Sequence, residues 1–126
     1  MKKRRFEEEE LPPAYEGLER QLMAVFYSGV YITNDDIVKV GRRIGLELPR
    51  KDRMALLKEV MHEAHESNRM VPVLQGFAEL LQERANIYQQ YARQFPAAAP
   101  LIGEWLQKVR ATTMLLQREM RSDPYA

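Results

Sequence analysis

LQGFAELLQERANIYQQYARQF, residues 74–95, places Leu74, Ala78, Leu81, Ala85, Tyr88, Ala92 and Phe95 at alternating spacings of four and three. Side chains so spaced share one face of an α-helix. Small and large residues take turns along this seam, the pattern by which one helix packs closely on another. A second apolar edge, made by Phe77, Leu80, Ile87 and Tyr91, widens the face. That width predicts a helix at the centre of a helical assembly, or one whose face continues into a second subunit.

Towards the N-terminus the same periodicity recurs. Pro49 is expected to open a helix with Met54, Leu57, Val60, Met61 and Ala64 on its apolar stripe and Ser67-Asn68 at its end. Thr33, with Asp36 three positions later, makes an approximate capping box for a short helix over residues 34–44 that buries Ile37, Val40 and Ile44. Gly45 is a natural stop, and Gly41 marks a close approach to a neighbour. An earlier helix is expected from Pro13, carrying Leu18, Leu22, Val25 and Phe26 and ending near Ser28-Gly29. Val30-Tyr31-Ile32 reads as a link, because no second strand candidate exists to pair with it. Towards the C-terminus, Pro96 and Pro100 bracket three alanines. A last helix follows with Ile102, Trp105, Leu106, Val109, Thr112, Leu116 and Met120 on or beside one face.

The expected fold is all-α: a compact antiparallel helical bundle with four longer helices and one short helix, a single domain over residues 13–122. Residues 1–12 join a cationic block to an acidic one and are expected to form a flexible, disordered arm. Residues 123–126 are expected to be a flexible C-terminus.

A chain of 126 residues is long enough to build a core without metal or disulfide staples. It contains no cysteine, which removes disulfides, thiolate ligands and cysteine nucleophiles and suits a cytoplasmic location. No apolar run approaches the roughly 20 residues that cross a bilayer. The opening basic residues lead into glutamates instead of the apolar stretch of a signal peptide. A formal charge of +1 does not by itself announce a nucleic-acid partner.

Three groups of residues are candidates for function. Phe77, Leu80, Ile87, Tyr91, Trp105 and Leu115 broaden the faces of the last two helices and form a candidate interaction surface, since Tyr and Trp accommodate one wet edge. Lys39, Arg42, Arg43, Arg50, Lys51 and Arg53 form the densest cationic region, a possible nucleic-acid contact interrupted by Glu47 and Asp52. Glu59, His62, Glu63 and Glu66 share one helix face and are weak candidates for metal binding. Glu59-Val-Met-His62 matches one Glu-x-x-His unit of a di-iron bundle, but the chain has no second unit. The two histidines are also three apart, unlike the His-Glu-x-x-His zinc motif. A solvated polar face accounts for this cluster, so no metal or cofactor is expected.

No nucleophile is accompanied by an evident activating pair. The leading expectation is therefore a non-enzymatic protein-protein interaction or adaptor protein that self-associates as a homodimer or higher homo-oligomer. A small nucleic-acid-associated protein using the basic patch is the alternative. A metal-binding helical-bundle enzyme is third, and requires Glu19, Glu79 or Glu104 to converge with Glu59 and His62.

Overall fold

The computed structural model describes Arg20, Leu22, residues 32–48 and residues 52–122. Among the described residues there are four α-helices and no strand: α1 Asn34–Arg42, α2 Arg53–Glu66, α3 Met70–Gln94 and α4 Ala99–Ser122, with a 3-10 turn at Pro96–Ala98. One helix is short and three are longer. The fourth longer helix expected from Pro13 falls outside the described residues except for Arg20 and Leu22, which are helical, with Leu22 fully buried. The expected arm and C-terminal tail also fall outside them. No helix among the described residues is long and apolar enough to cross a membrane.

The start of α1 follows from its capping residues. Thr33 Oγ1 accepts the Asp36 N–H at 3.1 Å and Asp36 Oδ2 accepts the Thr33 N–H at 2.9 Å, a complete reciprocal box. The helix ends at Arg42, two residues earlier than the expected 44. Gly45 then adopts φ +75, the Gly45 N–H bonds Arg42 O and the Leu46 N–H bonds Gly41 O. That pair of bonds reverses the chain through the one residue type that enters the left-handed region without a Cβ penalty.

The start of α2 lies later than Pro49 suggests. Asp52 is its N-cap, accepting the Ala55 N–H through Oδ1 at 2.9 Å. The later start changes the buried face: Leu56 joins Leu57, Val60, Met61 and Ala64 inside, while Met54 is exposed. At the other end Asn68 adopts φ 57, with the Arg69 N–H on Ala64 O and the Asn68 N–H on His65 O. Those two bonds form a Schellman turn that leads directly into α3.

α3 begins at Met70, four residues before Leu74, with Pro72 inside its first turn. Proline is tolerated in a first turn, where its missing N–H would have no intrahelical acceptor. The extra turn brings Met70 and Val73 into the core beside Leu74, Phe77, Leu81, Ala85 and Tyr88. The seam fails only at its last member. Phe95 lies beyond the helix and is exposed, because a residue before proline is disfavoured in the α region.

Through Ile102, Leu106, Val109, Thr112 and Leu116, α4 buries one stripe. Thr112 is fully buried, and its hydroxyl is satisfied within the helix by donating to Lys108 O at 2.9 Å. All four helices contribute to one buried hydrophobic cluster, and α3 against α4 is its most extensive contact.

At Gly76, α3 lies close beneath the C-terminal end of α1. A Cβ there would stand 3.1 Å from Arg43 Cδ and 3.3 Å from Val40 Cγ1, whereas at Gly103 on α4 it would meet nothing within 4 Å. Gly103→Ala should raise stability by about 0.5–1 kcal/mol through helix propensity. Gly76→Ala should yield no such gain, because the buried Val40 cannot retreat. Urea unfolding of the two variants checks this contrast, and equal stabilisation at both positions would contradict it.

Candidate interaction surface

Two ion pairs bracket the α1–α3 approach. Arg84 Nη2 donates to Asp36 Oδ2 at 2.8 Å, with 18% and 12% of the two side chains exposed. That oxygen also accepts the Thr33 N–H, so one carboxylate both completes the α1 cap and ties it to α3. Arg43 meets Glu79 in a fork, Nη2 to Oε1 at 2.6 Å and Nη1 to Oε2 at 3.5 Å, on a more exposed rim. The cleft between these pairs is about 170 Å³, lined by Asp36, Lys39, Arg43, Glu79 and Glu83 around Val40 and Leu80. Its charges are mixed, which suits holding two helices together better than gathering a single-sign ligand. The hydrogen bond from Arg43, and then its positive charge, hold the Glu79 carboxyl below its ordinary range.

The structure brings only part of the expected basic patch together. Lys39 and Arg43 line the same cleft, but Arg43 is engaged by Glu79. Arg42 lies 3.6 Å from Glu47. Arg53 turns away to donate through Nη1 to Ile32 O at 3.2 Å, bracing the approach to α1. Arg50 and Lys51 lie outside the described residues. Asp52, which the sequence suggested as a neutralising neighbour of these bases, is instead occupied as the α2 cap.

Glu59, His62, Glu63 and Glu66 all lie on α2 and are half-buried, not the solvated face expected of them. Each has an interacting partner. Among the described residues, no three His, Asp or Glu side chains are placed to hold a metal ion. Glu79 is engaged across the α1–α3 cleft and Glu104 is exposed on α4, while Glu19 lies outside the described residues.

The apolar candidates divide by burial. Phe77 is fully buried and belongs to the core, which corrects its placement on an interaction surface. Its position in the first half of α3 puts it under the helices that cross there. Leu80, Ile87, Trp105 and Leu115 are half-buried, and Tyr91 is 47% exposed. Two further residues are also exposed there: Phe95, at 61%, and Leu101, at 52%.

Two aromatic contacts join part of this group. The Tyr88 ring, buried at the α3–α4 contact, lies 5.5 Å from Trp105 and 6.5 Å from Tyr91, both tilted. Phe95 follows Tyr91 by one turn, its N–H bonding Tyr91 O at 2.8 Å, and Leu101 precedes Trp105 by one turn. Ile87 precedes Tyr91 by one turn on α3. The result is an aromatic and aliphatic surface around the junction of α3 and α4. Phe95-Pro96 is the sequence signal that would have found it, since proline ends the helix and releases the phenylalanine from the seam.

No family model, curated protein or solved structure matches the chain.

Removing the cation at the α1–α3 contact should be costly. Arg84→Met leaves the largely buried Asp36 carboxylate without its counter-charge, and a loss of about 2 kcal/mol is expected in urea unfolding. Thr33→Ala should cost about 1 kcal/mol. Because both act on Asp36, the double variant should depart from additivity, and strict additivity would deny that the cap and the ion pair are one unit.

Glu79 supplies the pH dependence. Its folded-state pKa is depressed, so its contribution is present above the unfolded pKa and lost as pH falls through the folded value. Acidification below the ordinary glutamate range should therefore destabilise wild type more than Glu79→Gln, and added salt should shrink the difference. Identical acid profiles in thermal melts would contradict the pairing.

Proposed function

We propose that the protein is a non-enzymatic helical interaction protein that self-associates, with its helices arranged as a compact antiparallel bundle. The observation that carries this reading is the exposure of Tyr91, Phe95 and Leu101 at the α3–α4 junction, beside the Tyr88–Trp105 contact. Isolated exposed apolar residues are ordinary, but a joined group of aromatic residues marks a place where another surface excludes water. Tyrosine and tryptophan also lose little conformational freedom on binding, which suits them to anchor positions. The short connection Pro96–Ala98 between two long helices in contact supports the antiparallel arrangement. A cytoplasmic location agrees with the lack of cysteine.

The basic residues lend the nucleic-acid alternative less support. Arg43 is already paired, Arg42 lies near Glu47 and Arg53 is turned to a backbone carbonyl. Such groups would have to abandon existing partners to neutralise phosphates.

Sedimentation velocity from micromolar to near-millimolar concentration tests the proposal. Wild type should pass from monomer to dimer, and the double substitution Tyr91→Ser with Phe95→Ser should stay monomeric at concentrations where wild type has dimerised. Both positions are exposed, so the variant should keep wild-type helix content. A wild-type protein that remains strictly monomeric at the highest concentration would overturn the reading.

A further inference from the structure

The apolar surface at the α3–α4 junction is too small to hold a partner alone. Tyr91, Phe95 and Leu101, each about half exposed, together present roughly 300 Å² of apolar surface, whereas a stable interface buries about 800 Å² on each partner. A stable contact must therefore extend along a neighbouring edge. One edge qualifies: Leu101, Glu104, Trp105, Lys108 and Leu115 follow one another along α4 at helical spacings.

Between Leu101 and Leu115 that edge carries one acid and one base, Glu104 and Lys108, both exposed and one turn apart. Among the described residues neither has an ion-pair partner, although their spacing would allow them to pair with each other. A strip with opposite charges four residues apart is complementary to itself when a second copy is laid against it in the reverse direction. A two-fold contact then puts each residue of a charge pair opposite its complement twice. A partner of one charge sign would instead be attracted by one of these residues and repelled by the other.

We propose that a second copy of this chain docks edge to edge on α4, the two helices antiparallel about a two-fold axis beside Trp105. Glu104 then faces the partner's Lys108, and Lys108 faces the partner's Glu104. Leu101 and Trp105 line the contact, and Tyr91 and Phe95 close it at the junction end. This assignment rests on the self-association reading and gives it a partner, a direction and a register.

Two charge reversals and their mixture test it. Glu104→Lys alone would set four positive side chains against one another, and Lys108→Glu alone four negative ones. Each should weaken self-association roughly tenfold or more, read as a shift in the sedimentation midpoint. An equimolar mixture of the two variants should associate again and appear as a heterodimer in native mass spectrometry. The double reversal in one chain should restore the homodimer. Both positions are solvent-exposed on a regular helix, so circular dichroism of the variants should match wild type. If wild type dimerises while both reversals leave its midpoint unchanged, or while the mixture fails to form a heterodimer, this contact is wrong and the self-association reading survives. If wild type never dimerises, that reading falls and the contact falls with it.

Discussion

At 25 residues α3 is roughly 37 Å long, and its apolar face runs most of that length. Of the other described helices, only α4, with 24 residues, matches it. With 9 and 14 residues, α1 and α2 reach roughly 13 and 21 Å. The close approach and the ion pairs that join α1 to α3 lie between Gly76 and Arg84. This mismatch in length governs the rest of the molecule. Where short helices lie across α3, its wide face is core, as at Phe77. Where they have ended, the face passes through Ile87 to Tyr91 and Phe95 with less covering it. Helix lengths thus account for the exposure of Tyr91, and Pro96 adds Phe95 to it by ending α3.

The same crossing explains why the cationic segment is less available than its composition implies. The interior of a helix–helix contact tolerates charge when the charge is paired, and α3 supplies Glu79 and Arg84 to meet Arg43 and Asp36. These pairs tie α1 to α3 at two points along α3 beyond Gly76. Residues that read as a phosphate-binding stripe in one dimension are therefore partly the fastenings of a helix in three.

What could be read in advance divides by sequence separation. The Thr33–Asp36 box and the turn at Gly45 depend on residues a few positions apart and on intrinsic backbone preference, so they were legible. The alternation from Leu74 to Tyr88 was legible because burial along a helix repeats with its turn. The helix starts are less legible because local signals compete: Pro49 competes with Asp52 for the start of α2, and Pro72 is accepted within the first turn of α3. The Arg43–Glu79 and Arg84–Asp36 pairs span 36 and 48 residues, and nothing local encodes them. The exposed aromatic group was half legible. Tyr91 and Trp105 stand out as wide-face aromatics, whereas the burial of Phe77 depends on the helices that pack across α3.

The oxygen shared by the Thr33 N–H and Arg84 has a further consequence for the order in which the molecule assembles. Nine residues are too few for a helix to persist in water unaided, since nucleation costs more than so few turns return. The cap that would help α1 to form is itself held in place by α3. Helix formation and docking of α1 are therefore one event, and the reverse event is equally concerted.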